Sequence, residues 1–203
     1  MKGHLFVISG PSGVGKSTII TYLLKKIPHI RYSVSYTTRP PRRGEVDGKD
    51  YNFISKAEFK EMIRKGEFIE WAEVYGNLYG TSYRFIYEVM EQGEDVIMDI
   101  DPKGARNIRD KIDHSHLIFI LPPSVEELFK RLKGRKTDSD EIIDRRLRQV
   151  FQELRESRWY HYVVINDDMA SAIRAVEAII ISFRYLRERI SNRIEDIING
   201  YKG

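Results

Sequence analysis

The chain has 203 residues, no cysteine, and 34 basic against 30 acidic side chains, for a formal net charge of +4. With 41% hydrophobic and 32% charged residues it reads as a globular domain with one sizeable core. The lack of cysteine excludes a disulfide framework, a thiolate nucleophile and a cysteine-ligated zinc. No apolar run reaches the length that spans a bilayer, and Met1-Lys2-Gly3-His4 leads into an apolar run without a leader pattern, so a cytoplasmic location is expected. The basic excess suits phosphate-bearing ligands. Its clusters, Arg42-Arg43 and Arg145-Arg146, are short and not interleaved with aromatics, so neither nucleic acid nor membrane is an expected partner.

In chain order, Leu5-Phe6-Val7-Ile8 reads as a buried strand. Gly10-Pro11-Ser12-Gly13-Val14-Gly15-Lys16-Ser17 follows, ahead of a helical pattern that stops near Lys26-Ile27-Pro28. The spacing fits G-x-x-x-x-G-K-[ST], the phosphate-binding P-loop. Glycines let the backbone curl so that successive N–H groups converge on an anion, and the helix adds its positive end. Lys16 would reach the outer phosphates and Ser17 would hold magnesium, so a nucleoside triphosphate is the expected donor.

Ser33 to Thr38 alternates in the β manner and ends in the proline-rich Arg39 to Gly44. Tyr51 to Ile54 and Phe68 to Tyr75 are further β-like runs, separated by a helical pattern from Lys56 to Lys65 that Gly66 closes. Leu78 to Ser82 completes a small, mostly antiparallel unit inserted in an α/β core. Helix (Tyr83 to Gln92), strand (Asp95 to Asp101), helix (Pro102 to Lys111), strand (His116 to Leu121) and a Ser124-capped helix to Lys133 then alternate, which indicates a parallel sheet. A long charged helix is expected from 139 to 157, then a strand at Tyr162 to Ile165 and the polar Asn166-Asp167-Asp168. From Ile173 to Ile197 one apolar stripe recurs at helical spacing. Beyond Arg187 that helix outruns the domain and offers a contact for a second copy of the chain.

The P-loop leaves the acceptor open. Between Ser33 and Ser82 stand Arg39, Arg42 and Arg43, the phenols of Tyr51, Tyr75 and Tyr79, the hydroxyls of Ser35 and Thr81, and Glu70. Guanidinium forks with tyrosine hydroxyls suit a monophosphate dianion. A carboxylate beside hydroxyls suits a guanine edge, whose N1–H and 2-amino group donate. Each also has a plain structural role: a solvated turn for Arg42 and Arg43, half-buried core for Tyr51 and Tyr79, an outward face for Glu70.

Taken together, V-I-S-G-P-S-G-V-G-K-S-T at 7 to 18, S-V-S-Y-T-T-R-P-P-R-R-G-E at 33 to 45, G-K-D-Y-N-F at 48 to 53 and F-I-E-W-A at 68 to 72 resemble the guanylate kinase family. So do G-N-L-Y-G-T at 76 to 81, D-I-D at 99 to 101, P-P-S at 122 to 124, G-R-K-T-D at 134 to 138 and V-I-N-D-D at 164 to 168. The resemblance implies MgATP-dependent phosphorylation of GMP, and of dGMP, by a P-loop core (1–32, 83–133, 158–203) with a mixed-sheet GMP-binding subdomain (33–82) and a helical lid (134–157). It gives ATP the loop Gly10, Pro11, Ser12, Gly13, Val14, Gly15, Lys16, Ser17 and Thr18, with Arg135, Asn166 and Asp167. It gives the guanine Ser35, Glu70 and Thr81, and the GMP phosphate Arg39, Arg42, Tyr51 and Tyr79, with Asp99 between the phosphate sites. Lys16, Arg39, Asp99, Asp101, Arg135 and Arg146 form the implied catalytic set, and Asp101 joins Ser17 at magnesium through water. Lys103 stands where the family usually has glutamine, Thr81 where it often has serine, and nothing transfers beyond about 187. An inactive family member serving as a protein-interaction module, or a P-loop kinase for another phosphorylated acceptor, are the alternatives.

Overall fold

The computed structural model describes residues 2–42, 44–74, 76–133 and 151–200. The main sheet takes β1 (Leu5–Ser9), β2 (Ile30–Tyr32), β7 (Asp95–Asp99), β8 (Ser115–Leu121) and β9 (Tyr162–Ile165). The strands β3 (Tyr36–Thr37), β4 (Asn52–Phe53), β5 (Phe68–Val74) and β6 (Asn77–Ser82) form a second sheet. The main sheet runs β2-β7-β1-β8-β9 and is parallel throughout, as the alternation of strands and helices requires.

All five residues of β1 are buried, because a central parallel strand is covered on both faces. Phe6 and Ile8 pack under α1 (Lys16–Lys26) and α7 (Met169–Arg184), while Leu5 and Val7 pack under α3 (Tyr83–Glu91) and α4 (Pro102–Arg109). With β7 on one side of β1 and β8 on the other, the connections diverge at the carboxyl ends of the strands. That divergence opens the crevice in which sheets of this kind bind ligands.

The second sheet is mixed: β3 pairs parallel with β4, and β6 pairs antiparallel with both β3 and β5. Its helix α2 (Lys56–Arg64) starts at a capping box in which Ser55 and Glu58 satisfy each other's backbone N–H. Phe59 of α2 stacks on Phe68 at 4.4 Å. A Cβ at Gly80 would stand 2.9 Å from both rings, so a glycine is required for the helix to lie this close.

Two expectations are corrected. The run Ser33 to Thr38 is not one strand: β2 ends at Tyr32, Ser33 N–H still donates to Ile97 O of the main sheet (2.9 Å), and the strand of the second sheet is only Tyr36–Thr37. The run is the crossing between two sheets. The C-terminal stripe is two helices, α7 and α8 (Arg187–Gly200), broken at Tyr185, whose N–H turns back to Ser182 and Phe183 carbonyls. Of the helix expected at 139 to 157, residues 151–156 are helical (α6) and a 3-10 turn at Ser157–Trp159 ends it. Most of the expected lid, Arg135 and Arg146 included, lies outside the described residues, as do Arg43 and Tyr75.

The break at Tyr185 lets two helices hold one buried acid. Asp95 at the start of β7 is 1% exposed and accepts from Arg184 Nε (3.0 Å), Arg189 Nη1 (2.7 Å) and the His4 N–H (3.0 Å). Removing one partner of such a cluster strands buried charge. Asp95→Ala is therefore expected to lower stability by about 3 kcal/mol in urea unfolding, whereas a loss below about 0.5 kcal/mol, the range of ordinary surface changes, would mean the cluster does not anchor the C-terminal helices.

Candidate active site

The turn after β1 is built by glycines in conformations closed to other residues: Gly10 has φ 144°, Gly13 83° and Gly15 101°. A Cβ on Gly10 would stand 2.4 Å from Ile120 O, and one on Gly15 would stand 2.7 Å from Asn166 Nδ2 and from Met169. Gly15 caps α1 without a side-chain hydrogen bond, so the first N–H groups of the helix face the cavity in front of the loop. That cavity, about 490 Å³, is lined by Ser12, Gly13, Gly15 to Thr18, Asp99, Asn166 and Met169. Asn166 is buried and donates from Nδ2 to Val14 O (2.8 Å), fastening the loop to the end of β9. Pro11 and Val14 serve through the backbone, Val14 N–H donating to Pro11 O. Asp167 is exposed, accepts from Asp168 N–H, and does not line the cavity.

Lys16 folds back along the loop, its ammonium donating to Gly10 O (2.5 Å) and Pro11 O (3.1 Å). Burial lowers its pKa, opposed by the nearby carboxylates of Asp99 and Glu153. An ammonium satisfied only by carbonyls in a partly dry site is poised for an anion.

A second cavity of about 570 Å³ adjoins the first and shares Ser12, Lys16 and Asp99 with it. Its remaining walls include Ser35, Arg42, Tyr51, Glu70, Tyr79 and Asp101. Main sheet, P-loop and second sheet thus all contribute to the walls of this second cavity. Asp99 lines both cavities, and its Oδ1 accepts the Tyr32 hydroxyl at 2.5 Å. Asp101 caps α4, accepting from Gly104 N–H (2.8 Å), and lines only the second cavity.

Two expected residues stand behind the walls. Arg39 binds Glu45 through both terminal nitrogens (2.6 and 2.7 Å) and packs over the Tyr51 ring at 5.0 Å. The pair raises the Arg39 pKa, and Arg39 with the Arg42 N–H lowers the Glu45 carboxyl to about 2. Thr81 is buried and donates its hydroxyl to Glu70 Oε1 at 2.8 Å. Glu70 sits just past a register shift in β5, and burial raises its pKa to about 7 against the lowering effect of the Thr81 hydroxyl.

Sequence reading missed Tyr32, Glu45 and Glu153. Glu45 lies inside a quoted motif and six residues from Arg39, so its pairing was open to a search for acids near the arginines. Tyr32 and Glu153 carry no local signal. Glu153 enters the second cavity from α6, and burial raises its pKa while Lys16 opposes the rise.

The guanylate kinase family model matches residues 2–183. The chain belongs to the guanylate kinase family. Curated guanylate kinases from Geobacter metallireducens and Symbiobacterium thermophilum are 48% and 51% identical to it, with 96% and 89% of this chain and 96% and 86% of theirs aligned. The crystal structure of guanylate kinase from Anaplasma phagocytophilum superposes with a TM-score of 0.74 at 33% identity, covering 95% of this chain and 96% of that one. The chain is thus an enzyme of a kinase family, built on a P-loop core with an added mixed sheet. Among the described residues no helix is long and apolar enough to cross a membrane.

Glu70 gives the site a titration of its own. A carboxyl whose folded pKa is raised to about 7 from 4.5 favours the fold fully below pH 4.5, and that contribution is lost as pH rises through about 7. Glu70→Gln keeps the acceptor and removes the charge. Its stability is expected to match wild type below pH 4.5 and to exceed it by about 3 kcal/mol above pH 8. A difference that does not change with pH in chemical denaturation would show that Glu70 ionises as if solvated.

Proposed function

We propose that the enzyme transfers the γ-phosphoryl group of MgATP to GMP, and to dGMP, giving ADP and the nucleoside diphosphate. The observation that carries this reading is that the two cavities share Ser12, Lys16 and Asp99 in their walls, so that a phosphate-binding loop adjoins an arginine–tyrosine–carboxylate lining. In this reading ATP lies along Gly10 to Thr18, with Asn166 and Asp167 toward the adenine side. Arg42, Tyr51 and Tyr79 hold the acceptor phosphate. Arg39, made rigid by Glu45 and by the Tyr51 ring, adds charge from one shell further out.

Glu70 accepts from guanine N1–H and the 2-amino group, with Thr81 keeping the carboxylate oriented and Ser35 adding a hydroxyl. Adenine brings neither donor, so the buried Glu70 carboxyl would keep only the Thr81 hydroxyl as a partner. The recognising groups address base and phosphate, which is why dGMP belongs with GMP.

The donors beside the loop are hydroxyl and carboxylate oxygens, Ser17 and Asp99 in one cavity with Asp101 next to it, and these fit magnesium. Ser17 would hold the ion with the phosphates, Asp99 and Asp101 through water, and the ion would supply charge neutralisation at the transferring group. The acceptor phosphate is already ionised, so no residue need remove a proton. The protein's task is in-line alignment and charge stabilisation by Lys16, with Arg135 and Arg146 assigned by family resemblance. Closure of 134–157 over the nucleotides would exclude water, which otherwise competes as acceptor.

An ADP-release assay against GMP, dGMP, AMP, CMP and UMP is the test: turnover is expected with the first two alone, and equal rates across the panel would overturn the guanine assignment. Lys16→Met is expected to cut turnover roughly 10²- to 10³-fold with the fold intact; activity within threefold of wild type would remove Lys16 from the chemistry.

A further inference from the structure

At the opposite end of the main sheet from the P-loop, three chain segments bring metal-ligating side chains together. His4 precedes β1 and His114 precedes β8, and the parallel register that sets Leu5 beside Ser115 sets these two histidines side by side. Glu188 comes from the first turn of α8. One ligand atom from each of the three lies within 4.8 Å of the others. We propose that His4, His114 and Glu188 form a binding site for a divalent transition ion, zinc by its donor set, that staples the C-terminal helix to the sheet.

Three independent features favour an ion here over a chance cluster. His4 Nδ1 lies 2.6 Å from His116 Nε2, which fixes the buried ring and leaves Nε2 for a ligand, the arrangement by which metal-binding histidines are oriented from behind. His114 holds φ 62°, a left-handed conformation uncommon outside glycine, while its carbonyl accepts from Leu5 N–H. That backbone keeps the exposed His114 ring edge-on to His4, with centroids 5.4 Å apart. The two cations that line the same pocket each have a carboxylate partner: Lys2 pairs with Glu91 (2.6 Å), and Arg189 with Asp95 (2.7 Å).

Two imidazoles and one carboxylate suit zinc, whereas magnesium and calcium prefer oxygen alone. The three donors lie on an open pocket of about 270 Å³, which leaves a fourth position to water. No side chain of α8 is buried, so a shared ion would add a link between this helix and strands more than seventy residues away in sequence.

The test uses the full chain without a histidine tag, stripped by chelator and kept in excess magnesium so that hard-ion sites are filled. Zinc is titrated against a chromophoric chelator, and cobalt is added separately to read coordination from its visible absorption. One zinc per chain, a four-coordinate cobalt spectrum, and a melting midpoint raised by zinc are expected. His114→Ala and Glu188→Ala, both changes at exposed residues, should each weaken binding at least about tenfold and abolish the zinc-dependent rise in midpoint, as loss of a ligand requires. Circular dichroism without zinc should match wild type in both variants. No stoichiometric binding by wild type, or unchanged affinity in both variants, would overturn the site.

Discussion

The structure depends on how closely backbone approaches backbone around the P-loop. Gly10 lies against the Ile120 carbonyl and Gly15 against Asn166 and Met169, at separations that leave no room for a Cβ. This packing holds the turn between β1 and α1 in its left-handed glycine conformations beside the cavity. Burial of β1 on both faces supplies the rigid base, and Asn166 closes the arrangement from β9.

A second layer follows from that rigidity. Asp99 at the end of β7 is held by Tyr32 from β2, and Asp101 is occupied in starting α4. Both acids are thus fixed by neighbours on the core, while Arg39 is fixed by Glu45 in the segment between β3 and β4, and Glu70 by Thr81 on the second sheet. Charged groups held this way need little reorganisation when a charged ligand arrives, the condition under which electrostatic stabilisation is effective.

Much of this was legible in the residues. The strand–glycine–helix order around Lys16 has few physical alternatives, and the alternation of strands and helices after Tyr83 dictates a parallel sheet. Glu70 and Thr81 were expected at one site, but not that the hydroxyl would face the carboxylate from behind, because that depends on a register shift in β5. The crossing at Ser33 to Tyr36 looked like one strand because alternation is the same in either sheet. The break at Tyr185 was hidden because the apolar stripe continues through it, and only the buried Asp95 shows why the chain turns there. Tyr32 and Glu153 became visible only through contacts across the fold.

In the proposed function two nucleotide sites adjoin across Ser12, Lys16 and Asp99 of a single chain. That arrangement is tested most directly by the binding of adenosine and guanosine joined through a chain of phosphates. If the sites adjoin, one such molecule should bind per chain, roughly 10²- to 10⁴-fold more tightly than either nucleotide alone. Binding no tighter than that of ATP, or two molecules per chain, would contradict the account.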